Sequence, residues 1–164
     1  MSVAVSLESI LTVVETLSGS RPFAVDAKAK VTHDLLNTEK TLSAATTPPA
    51  TKVAAFQKAL SAGAATIDLA ALVGTNGAAL DGTGLRVQAI LLKNPATNAN
   101  AITVAIGASN GYDGLGADFS LTLQPDAHAL IFANNSGGYI GPTKKTLDLA
   151  GTLAQVLDVI IVMG

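Results

Sequence analysis

The chain has 164 residues, a formal net charge of −2, only 13% charged residues and no cysteine. That length suits one domain that buries roughly two-thirds of its unfolded surface without staples, and the missing thiols remove disulfides and thiolate metal sites. The weak charge lacks the footprint of a protein that tracks phosphates or anionic lipid, so nucleic acid and membrane are not expected partners.

The N-terminal run MSVAVSLESILTVVETL carries Glu8 and Glu15 and no basic region, and reads as mature structure in place of a signal peptide. SVAVSLE and ILTVVET have strand character, and FAVDAKAKVT alternates through Phe23, Val25, Ala27, Ala29 and Val31. The tract around Pro48-Pro49 predicts an extended connection, because proline and the residue before it both avoid helix. Residues 1–50 are expected to form an N-terminal arm or peripheral strands of a single domain over 1–164. Lys52 to Leu60 is Ala-rich enough for a helix, yet AATIDLAAL follows within a few residues and an alternating meander predicts a strand.

From Gly74 onward, turn chemistry recurs at short intervals: Asn76-Gly77, Asp81-Gly82, Asn110-Gly111, Asp113-Gly114, Pro125-Asp126 and Gly141-Pro142. Gly and Asn tolerate positive φ and Pro pre-sets φ, so these pairs reverse the chain. Between them, GLRVQAILLKN is expected to put Leu85, Val87, Ala89 and Leu91 on one face and Ile90 and Leu92 on the other. AITVAI aligns Ile102, Val104 and Ile106, while DFSLTLQ opposes Phe119, Leu121 and Leu123 to Ser120, Thr122 and Gln124. AQVLDVIIVMG is apolar on both faces apart from Asp158 and reads as a central strand. Thr66-Ile67-Asp68-Leu69-Ala70 recurs as Thr146-Leu147-Asp148-Leu149-Ala150. Chance similarity in an Ala- and Leu-rich chain is the favoured account of this echo, with related places in two sheets as the alternative. The pattern predicts an all-β fold, a jelly-roll-like sandwich of antiparallel strands.

Catalytic chemistry is sparse. The only imidazole bases are His33, beside Asp34, and His128, two residues after Asp126; no G-x-S-x-G elbow accompanies them. Asn110, Asp113 and Asp118 form the best local oxygen cluster, but the spacing of a calcium loop is missing and ordinary turn bonding accounts for it, so no metal is expected. GTNGAALDGTG lacks the Gly-Lys-Ser/Thr that a phosphate loop needs and leads into a strand, so no nucleotide or other cofactor is expected. Asn134-Asn135-Ser136 matches the glycosylation sequon without a secretory signal. Aromatics are 4% of the chain, too few for sugar platforms. The phenylalanines fall mostly in strand runs, and Tyr112, Asp113, Asn134 and Tyr139, in the turn regions, are the candidate surface contacts.

The segment LDGTGLRVQAILLKNPATNANAITVAIGASNGYDGLGADFSLTLQP, with the terminal KTLDLAGTLAQVLDVIIVMG, resembles β-sandwich proteins encoded among the structural genes of tailed bacteriophages and prophages. The likeness covers about the C-terminal hundred residues; the first seventy fit no attachment-arm pattern. It implies a noncatalytic virion component, assembled in the host cytoplasm. It would be a capsid decoration or auxiliary protein that binds the major capsid protein as a symmetric oligomer such as a trimer. Two rival expectations stand beside it: a tail or fibre module that binds a host glycan, and a small hydrolase built on His128 and Asp126.

Overall fold

A computed structural model of the chain describes residues 3–16, 30–34, 37–134 and 137–164. The alternating runs become strands: β1 (Ala4–Ser9), β2 (Val13–Thr16), β3 (Lys30–His33), β4 (Thr38–Ser43), β5 (Lys52–Ala59), β6 (Ala64–Asp68), β7 (Leu72–Val73), β8 (Ala79–Leu80), β9 (Val87–Lys93), β10 (Ile102–Ile106), β11 (Ser120–Leu123), β12 (His128–Phe132), β13 (Thr146–Ala150) and β14 (Val156–Met163). The expectation over Phe23–Ala29 lies outside the described residues. Two compact units result, an N-terminal one over Val5–Thr41 and a sandwich unit built chiefly from Leu42–Gly164.

In the sandwich unit, sheet one has the order β11-β10-β13-β6 and sheet two β12-β9-β14-β5. All neighbours are antiparallel. The eight strands pair first with last and inward from there: β5 with β14, β6 with β13, β9 with β12, β10 with β11. Folding a long hairpin over on itself in this way gives a jelly roll. The small hairpin β7–β8 closes through Asn76-Gly77, where Gly77 takes φ 77° and the Asn76 carboxamide accepts the Ala78 N–H.

Between the sheets lies one cluster of buried aliphatic side chains, among them Ile67, Ile90, Ile102, Val104, Leu149 and Ile161. Each fully buried Leu or Ile contributes about 1.5–3 kcal/mol relative to exposure. The central position expected of AQVLDVIIVMG is observed, since β14 lies between β9 and β5. Lys52–Ala59 is a strand, as the meander pattern required.

Three local expectations are corrected. Val162 pairs with Ala89 while Met163 pairs with Val87, so Gln88 is an extra residue in β9. This bulge reverses the alternation: Val87, Ile90 and Leu92 belong to the core, whereas Ala89 and Leu91 turn to the outer side with the Val162 and Ile160 that they oppose. The Thr66–Ala70 and Thr146–Ala150 copies are not equivalents in two sheets. They are neighbours in one, with Asp148 opposite Thr66 and Thr146 opposite Asp68, and the Thr66 hydroxyl donates to Asp148 Oδ1 at 2.7 Å. The Pro48-Pro49 tract is a compact turn with a cis Thr47–Pro48 peptide, closed by Ser43 N–H donating to Thr46 Oγ1 and Ala50 N–H donating to Ser43 O.

Candidate functional site

The loop after β10 returns along β13: Gly107 and Tyr112 both donate their N–H to Thr146 O, and Lys145 and Thr146 donate theirs to Asn110 O. Glycine is required for this approach, since a Cβ on Gly107 would strike the Thr146 side chain and one on Gly111 the Gly107 carbonyl. The loop drives Tyr112 inward. Its ring is fully buried, its hydroxyl accepts the Val87 N–H at 3.0 Å and donates to Gly138 O at 3.0 Å. Tyr112 is therefore no surface contact: an amphipathic ring finds apolar cover for its body and two backbone partners for its tip. Burial raises its pKa above 10.0, with the Asp113 charge adding to the rise.

Asp113 stays at the surface, where Lys144 Nζ lies 2.6 Å from its carboxylate. Both line a groove of about 510 Å³ with Leu115, Ile131 and Phe132. Tyr139 is 59% exposed and carries the Arg86 guanidinium 4.0 Å from its ring centre. Asn134 is exposed at φ 47°. Ala133 and Gly138, their chain neighbours, line the groove. The structure thus gathers Asp113, Asn134 and Tyr139 around one end of the sandwich, with Tyr112 as the pillar beneath.

The proposed hydrolytic pair does not form a triad. His128 begins β12 opposite Lys93 on the outside of sheet two, and Asp126 occupies a turn at φ 65°. His33 in β3 lies 3.6 Å from the Glu15 carboxylate, both more than half exposed. Among the described residues no three His, Asp or Glu side chains converge on a common point.

A second lysine–aspartate pair is structural. Lys145 Nζ sits 2.7 Å from Asp68 Oδ2, joining the end of β6 to the start of β13, and the Ala70 N–H also donates to Asp68. Partial burial pushes the Asp68 carboxyl upward, but the Lys145 bond and charge and the Ala70 bond together outweigh it, holding the pKa below 3.8. A carboxyl lowered by folding adds stability above its unfolded pKa and loses it as pH falls through the folded value. Lys145→Met is expected to cost about 0.5–1 kcal/mol at pH 7, since the pair is about one-third exposed and screened. Thermal melts should show the gap from wild type closing as the medium is acidified below the ordinary carboxylate range.

The outer faces of the two sheets differ in chemistry. Sheet one presents Ser120, Thr122, Thr103, Asp148 and Thr66, tied by Thr103–Thr122 and Thr66–Asp148 hydrogen bonds at 2.8 and 2.7 Å. This is the polar exterior expected of a solvated antiparallel sheet. Sheet two turns three cross-strand rows away from the inter-sheet core, in the order β12-β9-β14-β5: Phe132, Ala89, Val162, Val53, of which Ala89 and Val162 are nonetheless buried at 1% and 4%; then Leu130, Leu91, Ile160, Ala55; then His128, Lys93, Asp158, Gln57. Phe132, Leu130 and Ile160 are 36%, 37% and 40% exposed. Of these, sequence reasoning read Phe132 as core; the signal for the apolar outer side lay in VIIV and AILL, which are apolar on both faces although only one face lines the inter-sheet core.

The described residues of the N-terminal unit form two ribbons, β1 with β4 and β2 with β3. None of its described residues is buried, and Ile10, Leu11, Val13, Val14 and Val31 are all exposed. Fold and topology define an all-β jelly-roll sandwich. Comparison with family models, with curated proteins and with solved structures gives no match.

Proposed function

We propose that this is a noncatalytic structural protein of a tailed-phage virion, a capsid decoration or auxiliary protein that binds the major capsid lattice as a symmetric oligomer. The observation that carries this reading is the uncovered N-terminal unit. Isolated two-stranded ribbons are marginal in water, and exposed strand edges are templates for pairing with another chain. A unit of ribbons showing Ile10, Leu11, Val13, Val14 and Val31 to solvent gains its cover by strand addition to a neighbouring protein. The jelly roll suits a shell component, and the phage-like C-terminal stretch supplies the context. Because Val14 and Val31 are 54% and 38% exposed, the full-length V14K/V31K variant should melt within a degree or two of wild type. It should bind purified capsids at least about tenfold more weakly. Undiminished binding overturns the attachment role.

A second reading, a tail or fibre module for a host glycan, is favoured by the exposed Tyr139 beside the groove of Asp113 and Lys144. Binding on a glycan array that Tyr139→Ala abolishes would select it; no binding to any glycan removes it.

A further inference from the structure

We propose that the open edge of β12 pairs with the β12 edge of a second copy of this chain, joining two four-stranded sheets into one of eight across a two-fold axis. The backbone of that edge motivates it. The Asn94 N–H donates to Ala127 O and the Ala133 N–H donates to Gln88 O, in line with the register that sets His128 opposite Lys93. Antiparallel bonding alternates along a strand, so Ala129 and Ile131 turn their backbone groups to β9. The N–H and C=O of His128, Leu130 and Phe132 then point to the open side, where no described backbone group bonds to them.

The other edges of the two sandwich sheets are covered or blunted. β5 carries Lys52 and Lys58 and lies beside β7, whose Leu72 and Val73 line a cavity with Phe56 and Gln57. The outward groups of β6 are taken up by its own turns: Ala64 exchanges bonds with Ser61, and Asp68 O accepts the Ala71 N–H. β11 presents Ser120 and Thr122 and runs into Pro125. Soluble proteins block such edges with charge, proline or cover. β12, with the sequence HALIF, has no Lys, Asp, Glu or Pro and leaves Leu130 and Phe132 37% and 36% exposed.

The edge is complementary to itself. With Leu130 on the axis, Leu130 faces its own counterpart and His128 faces Phe132 of the second copy, and each pair exchanges two N–H···O bonds. Cross-strand contacts of this kind, apolar on apolar and ring on ring, stabilise a sheet. The contact is isologous and closes as a dimer. A groove of about 510 Å³ opens against Ile131, Phe132 and Ala133, which leaves room beside the end of β12 for the chain that precedes His128 in the second copy. Five paired residues bury roughly 300–400 Å² on each copy, less than a stable complex needs. Pairing is therefore weak in free solution, on the order of 100 μM, and strengthens where copies are held together on a lattice. It deepens the oligomeric reading above, and its test uses no capsid, so the two fail separately.

The chain has no cysteine, so Leu130→Cys carries a single thiol. Facing residues of a bonded pair have Cα atoms about 5.5 Å apart, inside the range a disulfide spans. Under mild oxidation at about 100 μM, full-length Leu130→Cys should form disulfide dimer at least about tenfold faster than Ile160→Cys. Ile160 has a similar exposure, 40%, but lies two strands in from the edge. An equimolar mixture of His128→Cys and Phe132→Cys should favour the heterodimer over either homodimer. In sedimentation velocity, the coefficient of wild type should rise between about 10 and about 500 μM. Leu130→Lys, which sets like charges together on the axis, should stay monomeric while melting like wild type. Crosslinking of Leu130→Cys no faster than that of Ile160→Cys overturns the proposal. So does a wild type that stays monomeric up to about 500 μM, or an oligomer that Leu130→Lys leaves intact.

Discussion

Asn94→Ala is expected to cost about 2–4 kcal/mol, a fall of roughly 5–15 °C in melting temperature. Asn94 is fully buried at the end of the sandwich where the chain crosses from β9 in sheet two to β10 in sheet one. Its Nδ2 donates to Asn100 O at 3.1 Å and Leu123 O at 2.9 Å, and its Oδ1 accepts from Asn98 Nδ2 at 2.6 Å. Asn98 continues the network to β14, donating to Val156 O at 2.6 Å and accepting the Val156 N–H at 3.2 Å. Gln155 Nε2 also donates to Asn100 O. Truncation strips Leu123 O of this donor and Asn98 of one acceptor inside a buried network, where each orphaned group costs about 1–3 kcal/mol. Asn94→Asp is expected to be worse at neutral pH, because a carboxylate would face two carbonyl oxygens. Burial and those oxygens raise its pKa, so its deficit should shrink as acid protonates it. Urea melts of the two variants at neutral and acidic pH check both statements.

Tyr112→Ala should destabilise by about 3–5 kcal/mol, and Tyr112→Phe by about 1–3 kcal/mol. Alanine leaves a ring-sized void in the core, whereas phenylalanine keeps the packing but deprives the Val87 N–H of its acceptor and Gly138 O of its donor. The phenylalanine variant isolates the hydroxyl, which ties the start of β9 to the Gly138 carbonyl, and the difference between the two variants isolates the ring. Burial raises the pKa of that hydroxyl, so its contribution is complete below the unfolded pKa near 10 and disappears as pH rises through the folded value. With two tyrosines in the chain, the Tyr139→Phe variant makes Tyr112 the sole phenol. Its tyrosinate absorbance should appear only together with alkaline unfolding. Reversible titration of a folded protein near pH 10 would contradict this placement.

Where side chains alternate cleanly, sequence and structure agree in detail: Ile102 and Val104 face inward from β10, and Leu121 and Leu123 from β11. The periodicity is local, so it is written in the residues themselves. Features set by partners were not. The Gln88 bulge depends on how β9 registers with β14, and β9 alone gives no sign that Val87 and Ala89 point apart. The Thr-x-Asp echo proved to be a cross-strand pair, a relation created by topology. Tyr112 sits amid Asn, Asp and Gly, the composition of an exposed turn, yet two buried backbone groups lie within reach of its hydroxyl. The surface positions of Asp113, Asn134 and Tyr139 were legible from turn chemistry. The apolar outside of sheet two was not, because Leu130 and Ile160 look like core until the sheets show which side is already filled.

The most direct test of the structural role is co-sedimentation of the full-length protein with purified capsids of the phage or prophage that encodes it. A structural subunit should pellet with the particles and saturate at a fixed number of copies per capsid, with V14K/V31K reducing the bound fraction. A protein that stays in the supernatant at every concentration, and leaves capsids unchanged, would contradict the account.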